Sequence, residues 1–539
     1  MAWLLSLPVL ILCVGIGLDI DLPGIYMDAV NPDYMVARML GGDFQTHIWV
    51  LPGNMIAGRI PLLSSLYHGT LHAWIGAPLF AMLGSSVFSL RIVHGLFASL
   101  ILVTALMWVR RSGAKPIVVI FTGIAVALDP CFIFSFRTQS YITMAPMAAL
   151  LMSLLLLERA RTAVDARRLL FASAALYGLS IYGYFIYAFF LPAIVASTLL
   201  WPINDSRYAH WQQRIWPLTA GLCFGVGLYV LGYVRIAYVT GGLSGLVDFI
   251  SSTQASLGAF SSTLGLMDRV GVAIHFFDSV AQNWWNSDQM IGSHEVSAFG
   301  SFRTFLFLLS PIALLIVAEL MARGDRYLRA TAGLMISFFI ISLTFGNRLG
   351  GHHYVSLLVL AYIVLAIGIS RVGKVLGSEG PRVGVAVIVS LFVLLGGQSV
   401  SAQLFLRAKL NETGGVGLFS EAINRYAEEL KMTHTSDYVV MPDWGIYFPV
   451  AFLTAGKMEI FYEARADFER RALCSGRNIQ VVLITGDRAL RYREWTRVLG
   501  WSAPILRSFR QRNGPVVFEV ATFIGDRSHA ACAATPIAA

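Results

Sequence analysis

Charge is the scarcest commodity in this chain. Lys, Arg, Asp and Glu make up 13% of its 539 residues and hydrophobic side chains 56%, roughly half the charge of an ordinary soluble protein. That balance excludes a freely soluble globular chain. Cysteine is nearly as rare. Cys13 and Cys223 lie in apolar runs and Cys131 near the end of another, with no spacing that makes a metal site. Cys474 and Cys532 fall in the polar C-terminal part and could form one disulfide if that part lies in an oxidising compartment. No P-loop, nucleotide-binding glycine motif or zinc-spaced His/Cys set occurs, which disfavours an ATP-driven pump and an enzyme fed by nucleotide sugars. No solenoid-type repeat is evident. The first residues, MAWLLSLPVLILCVGIGLDID, have no basic n-region and no clear small-x-small cleavage site, so they read as a retained first span.

What the chain has instead is apolar length. Stretches long enough to cross ~30 Å of hydrocarbon lie at about 2–18, 70–86, 89–109, 116–134, 141–157, 168–182, 185–201, 214–237, 303–321, 327–346, 354–371 and 382–402. If all twelve crossed, the basic loop after residue 109 and every later basic loop would face outward, against the positive-inside rule. The weakest stretch, LHAWIGAPLFAMLGSSV, holds His72, Trp74 and Pro78 and is joined to its neighbour by almost no loop. It reads as a helix lying in the interface. With eleven spans and the N-terminus inside, the inner loops 110–115, 158–168, 202–215, 322–329 and 371–382 hold fifteen Lys and Arg, against five in the longer outer segments before the tail. The net charge of +9 is therefore a topology signal, and nothing in it calls for nucleic acid.

The expected fold is an α-helical polytopic membrane domain, residues 1–402, with outer loops 19–88 and 238–302. A small α/β domain, 403–539, would follow on the outer side. In that tail SDYVVMP, IQVVLIT and GPVVFEVATF are strand-like and RALRYREWTRVLGW is an amphipathic helix, giving the approximate order helix, strand, helix, strand, helix, strand.

The conspicuous polar residues gather on the outer side: Asp28 and Asp33 after the first span, then Arg59, Tyr67, His68 and His72, then Arg137 and Tyr141, then Arg348, His352 and His353. A carboxylate at a membrane edge shielded from water can act as a general base. Equally, Asp and Asn before a proline-started run are ordinary helix starts, a reading that suits Asp33 better than Asp28. In FGNRLGGHHYVSLL the Arg and two His could hold a lipid phosphate, with Gly350 and Gly351 admitting close approach, or could snorkel toward headgroups. Trp284, Trp285, His275, His294 and Glu295 in the second outer loop fit an aromatic belt better than sugar stacking. Asp443 and Trp444 end a strand and read as exposed-loop residues.

Taken in order, these motifs resemble the C-class (GT-C) membrane glycosyltransferases, close to the protein O-mannosyltransferase and aminoarabinose transferase families. The similarity rests on Asp28 after span one, DYMVARMLGGDF, LYHGTLHAWIGAPLFAMLGSSVFSLRI, DPCFIFSFRTQSYITMAPMAALLMSLLLLERA and HHYVSLLVLAYIVLAIGI. It covers residues 1–200 well and 300–402 more loosely. The resemblance implies a sugar donor on polyprenyl phosphate and an acceptor hydroxyl on lipid, glycan or protein. It further implies an acidic base, Asp28 or its rival Asp33, and inversion at the anomeric carbon. Arg348, His352, His353, Arg137 and Arg59 would hold the leaving phosphate, and Tyr67, His68, His72 and Tyr141 would line the substrate. No cofactor is implied, and a divalent metal is not indicated. The expected location is a bacterial inner membrane with the tail in the periplasm. The chain departs from the family's acidic pair, since Ala29 follows Asp28 and the Tyr comes six residues on, at Tyr34. Two other activities fit the same composition: a flippase of lipid-linked glycans, and a ligase or polymerase using pyrophosphate-linked donors.

Overall fold

The computed structural model describes residues 2–41, 55–138, 144–208, 210–256, 264–293, 300–320, 325–373, 380–433, 437–443, 445–462, 466–484 and 487–532. Tyr141, His294, Glu295 and Trp444 lie outside the described residues. Helix dominates, as the apolar runs require. Five helices among the described residues are long and apolar enough to cross a membrane: Val87–Arg111, Trp211–Val239, Gly300–Val317, Gly351–Val372 and Arg382–Thr413. A sixth arises if Pro116–Leu128 and Pro130–Thr138, bent by 47° at their junction, are one span. The protein is a multi-pass membrane protein. Shorter helices, Ala2–Gly17, Ala145–Ala160, Ala166–Gly183, Leu191–Leu200 and Arg326–Ser342, occupy the other expected positions.

Local chemistry sets the helix ends. Ser86 and Ser89 cap Val87–Arg111 reciprocally, satisfying amides that no helical carbonyl reaches. Asp129 breaks the apolar run: its Oδ1 accepts the Cys131 and Phe132 amides and starts the bent second half. Leu71–Leu83 has thirteen residues, about 20 Å at 1.5 Å each, short of the hydrocarbon thickness and in keeping with an interfacial helix. Gly84 ends it with a φ of 74°. Ala166–Gly183 and Trp211–Val239 pack backbone on backbone, because Gly178, Gly221 and Gly225 put no side chain between them.

Two small hairpins lie before the interfacial helix, β1 (Met55–Ile56) with β2 (Ile60–Pro61) and β3 (Leu63–Ser65) with β4 (His68–Gly69). The C-terminal part carries β5 (Tyr438–Val440), β6 (Glu459–Phe461), β7 (Ile479–Leu483), β8 (Ile505–Arg510) and β9 (Val516–Phe523) in one sheet of order β6-β5-β7-β9-β8. The first three are mutually parallel; β9 runs antiparallel to β7, and β8, antiparallel to β9, runs in the direction of the first three. The three expected strands are present, and β6 and β8 are additions: β6 is only three residues long and β8 is largely exposed, so neither carries a buried apolar run. Cys474 and Cys532 are joined. The last membrane helix runs unbroken to Thr413, past residue 402 where the apolar run stops.

This tail is bonded to the segment that follows the first helix. The Gly24 amide donates to the Phe419 carbonyl at 2.8 Å and the Ile25 amide to Asn424 Oδ1 at 3.3 Å. Tyr34 stacks on Phe448 with ring centroids 3.8 Å apart. One buried apolar core runs from the membrane helices into the near side of the tail, and a second lies on the far side of its sheet.

Candidate active site

Three buried arginines shape the turn that delivers Asp28. Arg137 gives its terminal nitrogens to four carbonyls, those of Ile16 and Leu18 at 2.7 Å, Leu22 at 2.7 Å and Asp19 at 2.9 Å. Arg407 donates to Leu18 and Asp19, and Arg91 to the Pro23 and Phe136 carbonyls. The last carbonyls of the first helix have no partner within it, and cations are favoured at that end of its dipole. The chain that emerges from this clamp forms a single helical turn, Met27–Val30, with Asp28 half-buried.

Around Asp28 the structure gathers residues from three distant parts of the sequence. The carboxylate lies within electrostatic reach of Tyr67 and Tyr184. His68 is buried with its ring 4.5 Å from both of those aromatic rings, and its Nδ1 is 3.2 Å from Asn31 Nδ2, which donates to it. Tyr184 Oη meets His353 Nε2 at 2.8 Å. His353 Nδ1 lies 2.9 Å from the Gly350 amide and 3.1 Å from the Gly350 carbonyl, so Gly350 fixes the ring and either tautomer finds a partner at both nitrogens. His352 lies against His353 and Trp285, with centroids 4.0 and 5.6 Å apart, and its buried Nδ1 has no hydrogen-bond partner among the described residues.

Burial sets the charge state of this cluster. It pushes His68 well below its ordinary value of 6.5, and the neighbouring His353 and His72 push it further. Burial and then the charge of Asp28 push the Tyr67 phenol up to about 12. At neutral pH both are uncharged, which leaves Asp28 facing a dry, hydrogen-bonding wall. Arg348 sits half-buried in the turn Gly346–Arg348, two residues before Gly350. Gly350 and Gly351 serve close packing here: a Cβ on Gly351 would stand 2.8 Å from the Trp285 ring and 2.5 Å from Ser279 Oγ.

The same arrangement of helices and tail is found in a solved structure. The chain superposes on ArnT from Cupriavidus metallidurans in the apo state with a TM-score of 0.54 at 13% identity, covering 98% of each chain. Against ArnT bound to undecaprenyl phosphate the TM-score is 0.50 at 12% identity, again over 98% of each. The chain has a GT-C-like fold. No family model matches the sequence, and no curated protein matches it.

Within this GT-C-like fold the remaining expected site residues lie apart from the cluster or at its edge. Asp33 is fully buried and its Oδ2 pairs with His94 Nε2 at 2.9 Å, while His94 Nδ1 donates to the Phe136 carbonyl at 3.0 Å. It neither caps the turn it begins nor joins Asp28. Arg137 is taken up by the carbonyls described above, so its guanidinium serves the backbone. Arg59 is exposed on the β1–β2 hairpin. His72 lies behind His68 with its ring 5.6 Å from Phe97. Asp443 is held by Arg491 at 2.8 and 2.9 Å and accepts the Ile484 amide, closing a loop of the tail. Tyr184, Asn31 and His94 are the residues that sequence reasoning missed. Among the described residues no group of three or more His, Cys, Asp and Glu is set for a metal ion.

Proposed function

We propose that the protein is a membrane glycosyltransferase that moves a sugar from a polyprenyl-phosphate donor to an acceptor hydroxyl. Asp28 takes the hydroxyl proton, the acceptor oxygen bonds to the anomeric carbon as the bond from that carbon to the phosphate oxygen breaks, and the anomeric centre inverts. Polyprenyl phosphate leaves with both electrons of that bond. A phosphate leaving group needs charge stabilisation more than protonation, and Arg348 supplies the charge with His352 and His353 beside it, Tyr67, His68 and Tyr184 lining the sugar's side. The observation that carries this reading is that Tyr184, which lies within electrostatic reach of Asp28, also bonds His353. It brings a candidate base and a candidate phosphate site, far apart in sequence, to one place. The likeness in fold to a protein that binds undecaprenyl phosphate supports it.

The reaction is assigned to the outer face of a bacterial inner membrane, with eleven crossings and the tail in the periplasm. Supporting this are the loop charges and the Cys474–Cys532 bond, since disulfides persist in oxidising compartments.

Purified protein given a polyprenyl-phosphate sugar and an acceptor extract is expected to release polyprenyl phosphate. Asp28→Asn should lower that release by about 10²- to 10⁴-fold, the range of a lost general base, with unchanged gel filtration. Full turnover in Asp28→Asn together with its loss in Asp33→Asn would reverse the assignment. Movement of the lipid-linked sugar across vesicles without transfer would identify a transporter instead.

A further inference from the structure

The helices that present the Asp28 cluster at one end frame a second polar cavity at the other. Val355–Gly373 leaves His353 and ends beyond Arg371; Arg326–Ser342 starts at the far face and runs toward the Gly346–Arg348 turn. Leu191–Leu200 follows the turn whose Phe185 amide bonds the Tyr67 carbonyl, and it ends at Trp201. Nineteen residues in Val355–Gly373 correspond to about 28 Å, close to the hydrocarbon thickness. Where these far ends converge with Arg111 they enclose a cavity of about 510 Å³.

Its wall carries four arginines and an incomplete set of carboxylates. Arg111 bridges Glu158 at 2.8 Å, Arg329 forks onto Glu319 at 2.5 and 2.6 Å, and Arg371 bonds Asp325. Arg326 has no carboxylate partner among the described residues. Its guanidinium lies 4.9 Å from the Tyr327 ring centre and reaches that hydroxyl at 3.3 Å, and its buried Nε has no hydrogen-bond partner among the described residues. Asp325 also spends Oδ1 on the Tyr327 and Leu328 amides as a helix cap. A second cation stands close by: burial, and next the charge of Arg326, push Arg161 below the ordinary arginine value. The site is therefore cationic beyond its internal pairing, and the helix start at Arg326 adds the favourable end of a dipole.

One wall of the cavity is small and apolar. Ala193 and Ala196 on one helix face Gly333 on the other, where an added Cβ would find Ala193 only at 3.6 Å. Val195 and Leu199 beside this wall are 44% and 42% exposed, as side chains against lipid would be. A headgroup-sized basic cavity with one apolar wall beside lipid-exposed side chains has the two parts of a lipid site.

We propose that this cavity binds the phosphate headgroup of an anionic membrane lipid, with Arg326 at the phosphate and one hydrocarbon chain along the Ala193–Ala196–Gly333 wall. The site lies on the opposite face from the Asp28 cluster and does not depend on the transfer reaction proposed above.

The test is binding to the full chain in detergent, read by native mass spectrometry, with phosphatidylglycerol, phosphatidylcholine and inorganic phosphate as separate probes. Phosphatidylglycerol should bind well above phosphatidylcholine. Arg326→Gln should weaken it on the order of tenfold, the effect of one lost charged hydrogen bond, and Arg326→Lys should weaken it less. Gly333→Leu, which adds bulk to the apolar wall and spares the arginines, should weaken phosphatidylglycerol while leaving inorganic phosphate unaffected; near-ultraviolet circular dichroism reports that each variant is folded. Equal binding of phosphatidylglycerol by wild type and folded Arg326→Gln overturns the proposal. So does inorganic phosphate competing as well as the lipid, which would make this a free-phosphate site.

Discussion

His68 brings an imidazole into a site walled by Tyr67, Tyr184 and His353. Its folded pKa is depressed below 6.5, chiefly by burial. Between that depressed value and 6.5 the unfolded chain binds a proton that the folded chain refuses, so stability rises with pH across this window and is lost as pH falls below 6.5. The thermal midpoint of the purified protein should drop on acidification from pH 7 to pH 5. His68→Asn, which keeps a polar group opposite Asn31 but cannot titrate there, should flatten that slope; an unchanged slope would place the acid sensitivity elsewhere. His68, His352 and His353 were legible in the sequence because polar residues stand out in a chain this apolar. Tyr184 and His94 were not. A single aromatic or imidazole in an apolar run has the composition of ordinary packing, and here its use is fixed by a partner 169 or 61 positions away. Arg137 was legible as polar but not in its role, because its partners are backbone carbonyls, which carry no residue-type signal.

At the scale of elements, apolar length marked the helices well, while breaks and close packing left weaker traces. The bend at Asp129 follows from one side chain turning from the run to cap the next helix, a choice that the buried Arg303 and the Tyr362 hydroxyl at 2.8 Å reinforce through its other oxygen. Glycine is another such case. Gly225 and Gly227 are two residues apart on one helix, yet a Cβ on Gly225 would stand 2.2 Å from the Ala175 carbonyl, whereas one on Gly227 meets nothing within 4 Å. Gly225→Ala must therefore push Ala166–Gly183 and Trp211–Val239 apart, and it is expected to destabilise by about 1–3 kcal/mol, the usual range for overpacking. Gly227→Ala should be neutral or stabilising by up to about 1 kcal/mol, since alanine is the better helix former. Thermal unfolding of the two variants in the same detergent checks this, and equal midpoints would refute the backbone contact.

At the scale of the whole molecule, the boundary at residue 402 marks where apolar length ends, whereas packing continues across it. The helix runs on to Thr413, and the tail then returns to the segment that holds Asp28. Gly24 makes that return possible, because a Cβ there would stand 2.1 Å from the Ser420 carbonyl. Composition alone separates a membrane part from a polar part and says nothing about their contact, which is written in scattered pairs such as Tyr34 with Phe448 and Phe80 with Phe452. If the tail holds the first segment in register, Phe448 acts on Asp28 from 420 positions away in sequence. Phe448→Ala removes a buried ring, costing about 3–5 kcal/mol, and takes away the surface on which Tyr34 stacks. Release of polyprenyl phosphate should fall in this variant even below its unfolding temperature. Phe468→Ala provides the comparison: that ring is 39% exposed and packs on Tyr438 and Phe461, in the second core of the tail. It should leave turnover close to wild type. Equal turnover loss in both variants would mean that the tail contributes only general stability, and full turnover in Phe448→Ala would detach the tail from the site altogether.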